Sequence, residues 1–264
     1  NKEDLRLLRG AKPIQSELGD AYQQVQMYLS QGYLVLFSGT PCQVDGLYRF
    51  LGEHPENLLT CDFVCSGVVS PGVWAKFVES MAYIKRHRVV DVHFFEKCKG
   101  ERERRFRVLF EGGGTFDAPL SKCQLGRGLL RRLFLRPACY HCAYANSNRT
   151  GDLTMGLFMG LPKEFCPQEQ KAGVSLLLIN SVKGAHVFDA LPLKREGRTL
   201  EEAAAGNSAL RTAVAAPADR QRFFEELDRL PFRKVCDHFL SLRPYQKRTG
   251  EKWTVLKEKL WKKR

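Results

Sequence analysis

Apolar side chains at helical spacing mark residues 21–30, and Gly32 closes that stretch. Residues 33–37 are then apolar throughout and of strand length, Gly39, Thr40 and Pro41 make a tight turn, and residues 43–51 return to helical spacing. A second strand is predicted at 57–65. Strand, turn, helix and strand over about thirty residues make a βαβ unit, parallel and right-handed in nearly every known case. Further along, 71–84 reads as a helix, 89–95 and 106–110 alternate as strands, and the glycine triplet at 112–114 turns the chain towards Thr115 and Phe116. Residues 125–134 are predicted helical, 139–142 a loop, 152–155 a short strand, and 174–180 a buried strand followed by a helix from near Lys183. From Leu200 the pattern is mainly helical with a break at Pro217, and the tail, with Trp253, Val255, Leu256 and Leu260 among lysines, reads as an amphipathic helix. The predicted class is α/β: a mixed, partly parallel sheet with flanking helices and a helical C-terminal part. The expected division is an α/β cofactor-binding core over 1–195 and a helical extension over 196–264 packed on it.

This topology gathers sulfur. Cys42 follows the carboxyl end of the first βαβ strand, and Cys65 ends the second. Parallel sheets place binding crevices outside those strand ends, so two thiols distant in sequence reach the same edge. Cys139 and Cys142 form a Cys-x-x-Cys pair behind Pro137, a spacing that lets both sulfurs converge. Four thiolates can hold a 4Fe–4S cluster or a structural zinc. A redox dithiol is a third use, although a thioredoxin-type pair would open a helix soon after the first strand. The bland alternative makes Cys42 and Cys65 small buried hydrophobes. Cys61 shares a face with Cys65 on the predicted strand, as a substitute ligand or a core residue. Cys98, Cys123, Cys166 and Cys236 lack such contexts.

The turn Ser38-Gly39-Thr40-Pro41 offers helix amides to a phosphate but lacks the glycine spacing and lysine of a P-loop. Lys12, Arg136 and Arg149 carry charge suited to phosphate or carboxylate, or to ordinary ion pairs. His141, between the paired cysteines, is the one histidine worth testing, and no Ser-His-Asp or paired-carboxylate site is legible.

Composition narrows the setting. At 264 residues the chain can bury a large core without disulfides, and its 9 cysteines are odd in number and unevenly used, which favours metal or redox use over a disulfide framework. No secretory leader and no membrane-length apolar run are visible, so a cytoplasmic protein is expected. The net charge of +13 invites nucleic acid, yet no nucleic-acid-binding signature accompanies it. A solvated basic face that steers an acidic protein or a phosphate-bearing cofactor fits better.

Several segments resemble the coenzyme F420 hydrogenase/dehydrogenase beta-subunit family: Val-Leu-Phe-Ser-Gly-Thr-Pro-Cys-Gln-Val at 35–44, Asp-Phe-Val-Cys-Ser-Gly-Val-Val-Ser-Pro at 62–71, Arg-Pro-Ala-Cys-Tyr-His-Cys-Ala-Tyr at 136–144, Arg-Thr-Gly-Asp-Leu-Thr-Met-Gly at 149–156, and Gly-Val-Ser-Leu-Leu-Leu-Ile-Asn at 173–180. Asn207 and the 220–224 region continue the match, which looks closest to a bacterial branch associated with polysaccharide biosynthesis. The resemblance implies an iron–sulfur flavoprotein oxidoreductase active in electron transfer, with FAD exchanging hydride with coenzyme F420 or another acceptor. It implies Cys42, Cys65, Cys139 and Cys142 as 4Fe–4S ligands. It also implies flavin contacts at Lys12, Gln15 and Ser16, at Ser38, Gly39 and Thr40, and at Arg149 and Asp152. The implied partners are a ferredoxin or ferredoxin-like domain and a small-molecule or protein electron acceptor. No ferredoxin domain precedes the cysteines, so an excised C-terminal domain or dependence on a separate ferredoxin is expected. The chain departs from the family pattern at Ser66 (usually His), at Val69 (usually Pro), and at Leu157 and Met159, where Gly-Asp-Phe-Trp-Gly is usual. These last departures support a second reading: a non-catalytic, zinc-stapled scaffold or partner-binding domain with a degenerate flavin site.

Overall fold

The computed structural model describes Glu3 and residues 10–96, 104–159 and 173–241. Cys98, Cys166, Gly160, the arginine-rich run up to residue 103 and the predicted tail helix lie outside the described residues.

The predicted βαβ unit forms. Helix α1 (Ala21–Ser30) precedes β1 (Val35–Ser38), α2 (Pro41–Leu51) and β2 (Leu58–Phe63). Pro41 opens α2, its missing N–H being no loss there, and Gly52 ends it at φ +74°. Strands β1 and β2 are parallel, with Val35 opposite Leu58 and Ser38 opposite Cys61. Next comes α3 (Pro71–Lys85), and then β3 (Val89–Glu96), β4 (Arg105–Phe110) and β5 (Thr115–Pro119) build an antiparallel sheet of their own. The glycine triplet closes the β4–β5 hairpin, with Gly112 and Gly113 at φ +81° and +85°.

After α4 (Gln124–Leu130), strands β6 (Leu153–Leu157) and β7 (Ser175–Ile179) complete the first sheet in the order β1-β2-β6-β7. Strand β6 is parallel to β2, and β7 is antiparallel to β6. The sheet is mixed and partly parallel as expected, but the strands divide between two sheets. Helices α5 (Val182–Asp189), α6 (Leu200–Gly206), α7 (Arg220–Leu227) and α8 (Phe232–Phe239) follow.

Among the described residues, three apolar clusters hold the fold. Val25, Val44, Leu47 and Leu58 join α1 and α2 to the β1–β2 side. Phe77, Phe106, Phe134, Phe223 and Phe232 join the antiparallel sheet to α3, α7 and α8. Phe158 and Leu176 join β6 and β7 to Ala203 and Ala204 of α6 and to Leu210. Residues beyond 195 therefore share cores with both sheets. Each fully buried Leu or Phe contributes about 1.5–3 kcal/mol.

One predicted helix is shorter than its pattern. Periodicity predicts a helix over 125–134, but α4 stops at Leu130 and Arg132 takes φ +59°. The chain doubles back so that Phe134 lies over Gly128, where a Cβ would come within 2.0 Å of the ring. Packing of Leu133, Phe134 and Leu135, all fully buried, outweighs helical periodicity here.

Candidate functional site

All four sequence-predicted thiols line one cavity, together with Gln15, Thr40, Ser66, Gly67, Arg136 and Tyr144. Three local devices bring them there. Cys42 is the second residue of α2, directly after Pro41. Its Sγ lies 3.1 Å from Thr40 Oγ1. The α2 start is fixed by Gln43, which accepts from Thr40 N–H at 2.9 Å and donates to Ser16 Oγ at 2.8 Å.

Cys65 lies two residues beyond β2. Gly67 N–H points back to its Sγ at 3.4 Å, and Gly67 itself sits at φ +100°. A Cβ on Gly67 would meet Leu135 Cδ1 at 2.7 Å and Cys139 Cβ at 3.2 Å, so only glycine lets this loop lie against the Cys139 turn. Cys139 and Cys142 belong to the 310 turn Pro137–His141 and the residue after it. Two strips of chain support that turn through three hydrogen bonds: Val69 N–H donates to Pro13 O, Gln15 N–H to Val69 O, and Arg136 N–H to Val68 O. Arg136 Nη1 also donates to Gln15 Oε1 at 2.5 Å.

Burial pushes the Cys65 thiol up to about 11, and neighbouring Cys139, Cys42 and Cys142 add to the rise against the opposing Gly67 hydrogen bond. A metal that binds here must displace that proton. Tyr144 donates to Asp45 Oδ2 at 2.6 Å; burial first, then Asp45, pushes its phenol up to about 12. The tyrosine thus stays neutral beside the sulfurs.

Among the described residues, no three His, Cys, Asp or Glu side chains converge on a point suited to one metal ion. A tetrahedral zinc with Zn–S of about 2.3 Å draws its sulfurs to about 3.8 Å from one another. A cluster ligates each thiolate through a different iron and needs sulfurs around a space rather than a point. Cys42, Cys65, Cys139 and Cys142 are the soft donors that could hold such a group, with the cradle at Gly67 and the sulfur-directed amide beside them.

The other expected contacts divide. Gln15 and Thr40 line the cysteine cavity, and Ser16 braces it through Gln43. Lys12, Ser38 and Gly39 are adjacent in the chain but do not line it. Arg149 and Asp152 lie elsewhere, in a buried network on the sheet. Arg149 Nη2 pairs with Asp62 Oδ1 at 2.9 Å, with side-chain exposures of 2% and 0%. Its Nη1 donates to Tyr144 O at 3.0 Å, so it ties β2 to the segment after Cys142. Asp152 accepts from Thr60 N–H at 2.8 Å and from Ser181 Oγ at 2.6 Å. Cys61 is buried on β2, away from the cavity, and His141 is exposed outside it.

Residues 33–203, which include all four cavity cysteines, match the family model for the carboxyl-terminal part of the coenzyme F420 hydrogenase/dehydrogenase beta subunit. The chain belongs to this family. Among solved structures, a chain of the F420-reducing NiFe hydrogenase complex from Methanosarcina barkeri is similar at 19% identity and a TM-score of 0.41. The match covers 71% of this chain and 58% of that one, so this chain spans less than two thirds of its neighbour's length. No curated protein matches.

In this F420 hydrogenase/dehydrogenase beta-subunit relative, one part of the site escaped sequence reasoning. Ala209, Thr212, Ala213 and Val214 form a wall of the cavity, beyond the matched residues. Small and β-branched residues in a short 310 turn and the loop after it leave no motif to read. The conformation of Gly67 was equally hidden, although a glycine two residues past a ligand-type cysteine is a usable signal.

Proposed function

We propose that this chain is an iron–sulfur flavoprotein oxidoreductase domain relaying electrons between a ferredoxin-like donor and a small-molecule or protein acceptor, coenzyme F420 or another. The observation that carries the reading is the meeting of Cys42, Cys65, Cys139 and Cys142, from three separate stretches of chain, around one cavity. When bound, a 4Fe–4S cluster supplies one-electron transfer and FAD converts between one- and two-electron steps. The four cysteines would hold the cluster. Gly67 N–H polarises the Cys65 sulfur, Thr40 Oγ1, whose own proton goes to Gln43 Oε1, lies beside Cys42 Sγ, and Arg136 supplies positive charge at the wall. Gln15 and Thr40 are the flavin contacts best situated beside the thiols, whereas Arg149 and Asp152 act by bracing the sheet beneath the site. No helix among the described residues is long and apolar enough to cross a membrane, in keeping with the cytoplasmic setting proposed here. An excess of basic residues suits an acidic electron donor.

The test is an anaerobic ultraviolet–visible spectrum with iron, sulfide, zinc and flavin assays on one sample. The expected result is a broad shoulder near ~400 nm, about four irons per chain and extractable flavin. Stoichiometric zinc without colour overturns the reading.

A second reading, the scaffold or partner-binding domain, has one observation in its favour. Leu36, Phe63, Met155, Leu157 and Ile179 share one face of the four-stranded sheet and are all exposed. Protein without flavin that still captures a partner through this face would favour it.

A further inference from the structure

The C-terminal part does more at the cysteine site than pack behind it. Arg220, the first residue of α7, reaches back 85 positions to donate from Nη2 to Leu135 O at 3.0 Å. Its guanidinium carbon lies 5.0 Å above the ring of Tyr140, the residue directly after Cys139, and 4.4 Å from the ring of Phe224. Tyr140 is buried and donates its hydroxyl to Arg132 O, which clamps the turn from its other side. The start of α7 is itself fixed, because Asp219 pairs with Arg131 at 2.7 Å and Phe223 is fully buried. Arg220 Nε is buried and finds no acceptor among the described residues. The side chain is thus placed by its contact with two rings as well as by hydrogen bonding.

We propose that Arg220 is a positioning residue for the Cys139–Cys142 turn: its planar guanidinium, lying over the rings of Tyr140 and Phe224 and tied to Leu135 O, sets where those two sulfurs face the cavity. Only the iron readout below rests on the proposed function. Lysine can supply charge and a donor but not the stacked plane.

The experiment is residue-resolved alkylation of the reduced, metal-free full chain by iodoacetamide, comparing wild type with Arg220→Met and Arg220→Lys. Methionine retains apolar packing on the two rings. Cys139 and Cys142 are half-buried in the wild type, so losing one net hydrogen bond should speed their labelling by up to about five-fold in Arg220→Met. Arg220→Lys should recover part of that protection. Cys61, Cys123 and Cys236 are buried and serve as internal controls for global opening. Iron release to a chelator from loaded protein should quicken in the same order.

Unchanged labelling at Cys139 and Cys142 overturns the proposal. So does a parallel rise at all buried cysteines, which would make Arg220 a general stabiliser. If wild type takes up no iron, the proposed function fails while the alkylation comparison still decides the role of Arg220.

Discussion

Replacing Gly67 by alanine tests the cavity's construction most directly. Two penalties act together. At φ +100° an alanine is strained, by about 1–2 kcal/mol on the left-handed scale. Its Cβ also stands 2.7 Å from Leu135 Cδ1 and 3.2 Å from Cys139 Cβ, where carbon–carbon contacts settle near about 3.5–4.0 Å. Overpacking of this kind costs about 1–3 kcal/mol. Gly52 separates the two, because it has φ +74° and nothing within 4 Å of an added Cβ. Gly52→Ala therefore carries the strain alone, and the unfolded-state entropy gain of Gly→Ala is common to both variants. Urea unfolding of the metal-free chain should place Gly67→Ala about 1–3 kcal/mol below Gly52→Ala. Because the displaced atoms include Cys139 Cβ, Gly67→Ala should also lose most of its iron on anaerobic reconstitution while Gly52→Ala keeps it. Equal stability and equal iron in the two variants would refute the argument that close approach at Gly67 shapes the site.

Other expectations follow from the same structure. Arg149→Met leaves Asp62 fully buried without its cation and should cost about 3–5 kcal/mol in a urea titration; a loss under about 1 kcal/mol contradicts the buried pair. Cys65→Ser should abolish iron loading, whereas Cys61→Ser, away from the cavity, should load normally and lose only modest stability; iron per chain distinguishes them. Hydrogen bonding from Arg105, and then from Arg107, holds the Asp117 carboxyl below the usual carboxylate range. With the folded value below the unfolded one, this contribution is present above about pH 3.9 and lost as pH falls through the lower folded value. The melting-temperature gap between wild type and Asp117→Asn should therefore close on acidification. A gap that widens towards low pH gives the pairing the wrong sign.

The local chemistry of the chain determined a good deal without any tertiary contact. Helix α1 occupies the predicted residues 21–30, and the βαβ unit follows from an apolar run, a Gly-Thr-Pro turn and renewed helical spacing. These signals are short-range, so sequence carries them. The shared edge of Cys42 and Cys65 follows from topology alone, since parallel strands must end on the same side.

Tertiary structure decided what depends on neighbours far along the chain. Helical periodicity continues to Phe134, but that ring finds its place over Gly128 and the helix stops at Leu130. Pattern put Cys61 and Cys65 on one strand face; β2 ends at Phe63, so alternation no longer governs Cys65, and the turn at Gly67 directs it to the cavity while Cys61 stays in the core. Arg149 and Asp152 carry charges that any anion or cation could attract, yet Asp62, Thr60 and Ser181 reach them first. The wall at 209–214 comes from residues unremarkable one by one, and the reach of Arg220 to the Cys139 turn is a contact over 85 positions that no local pattern displays. Periodicity and turn chemistry act between near neighbours, and a sequence displays them. Which distant groups come within a few ångströms is a property of the whole packing, and it is packing that turns four cysteines into one site.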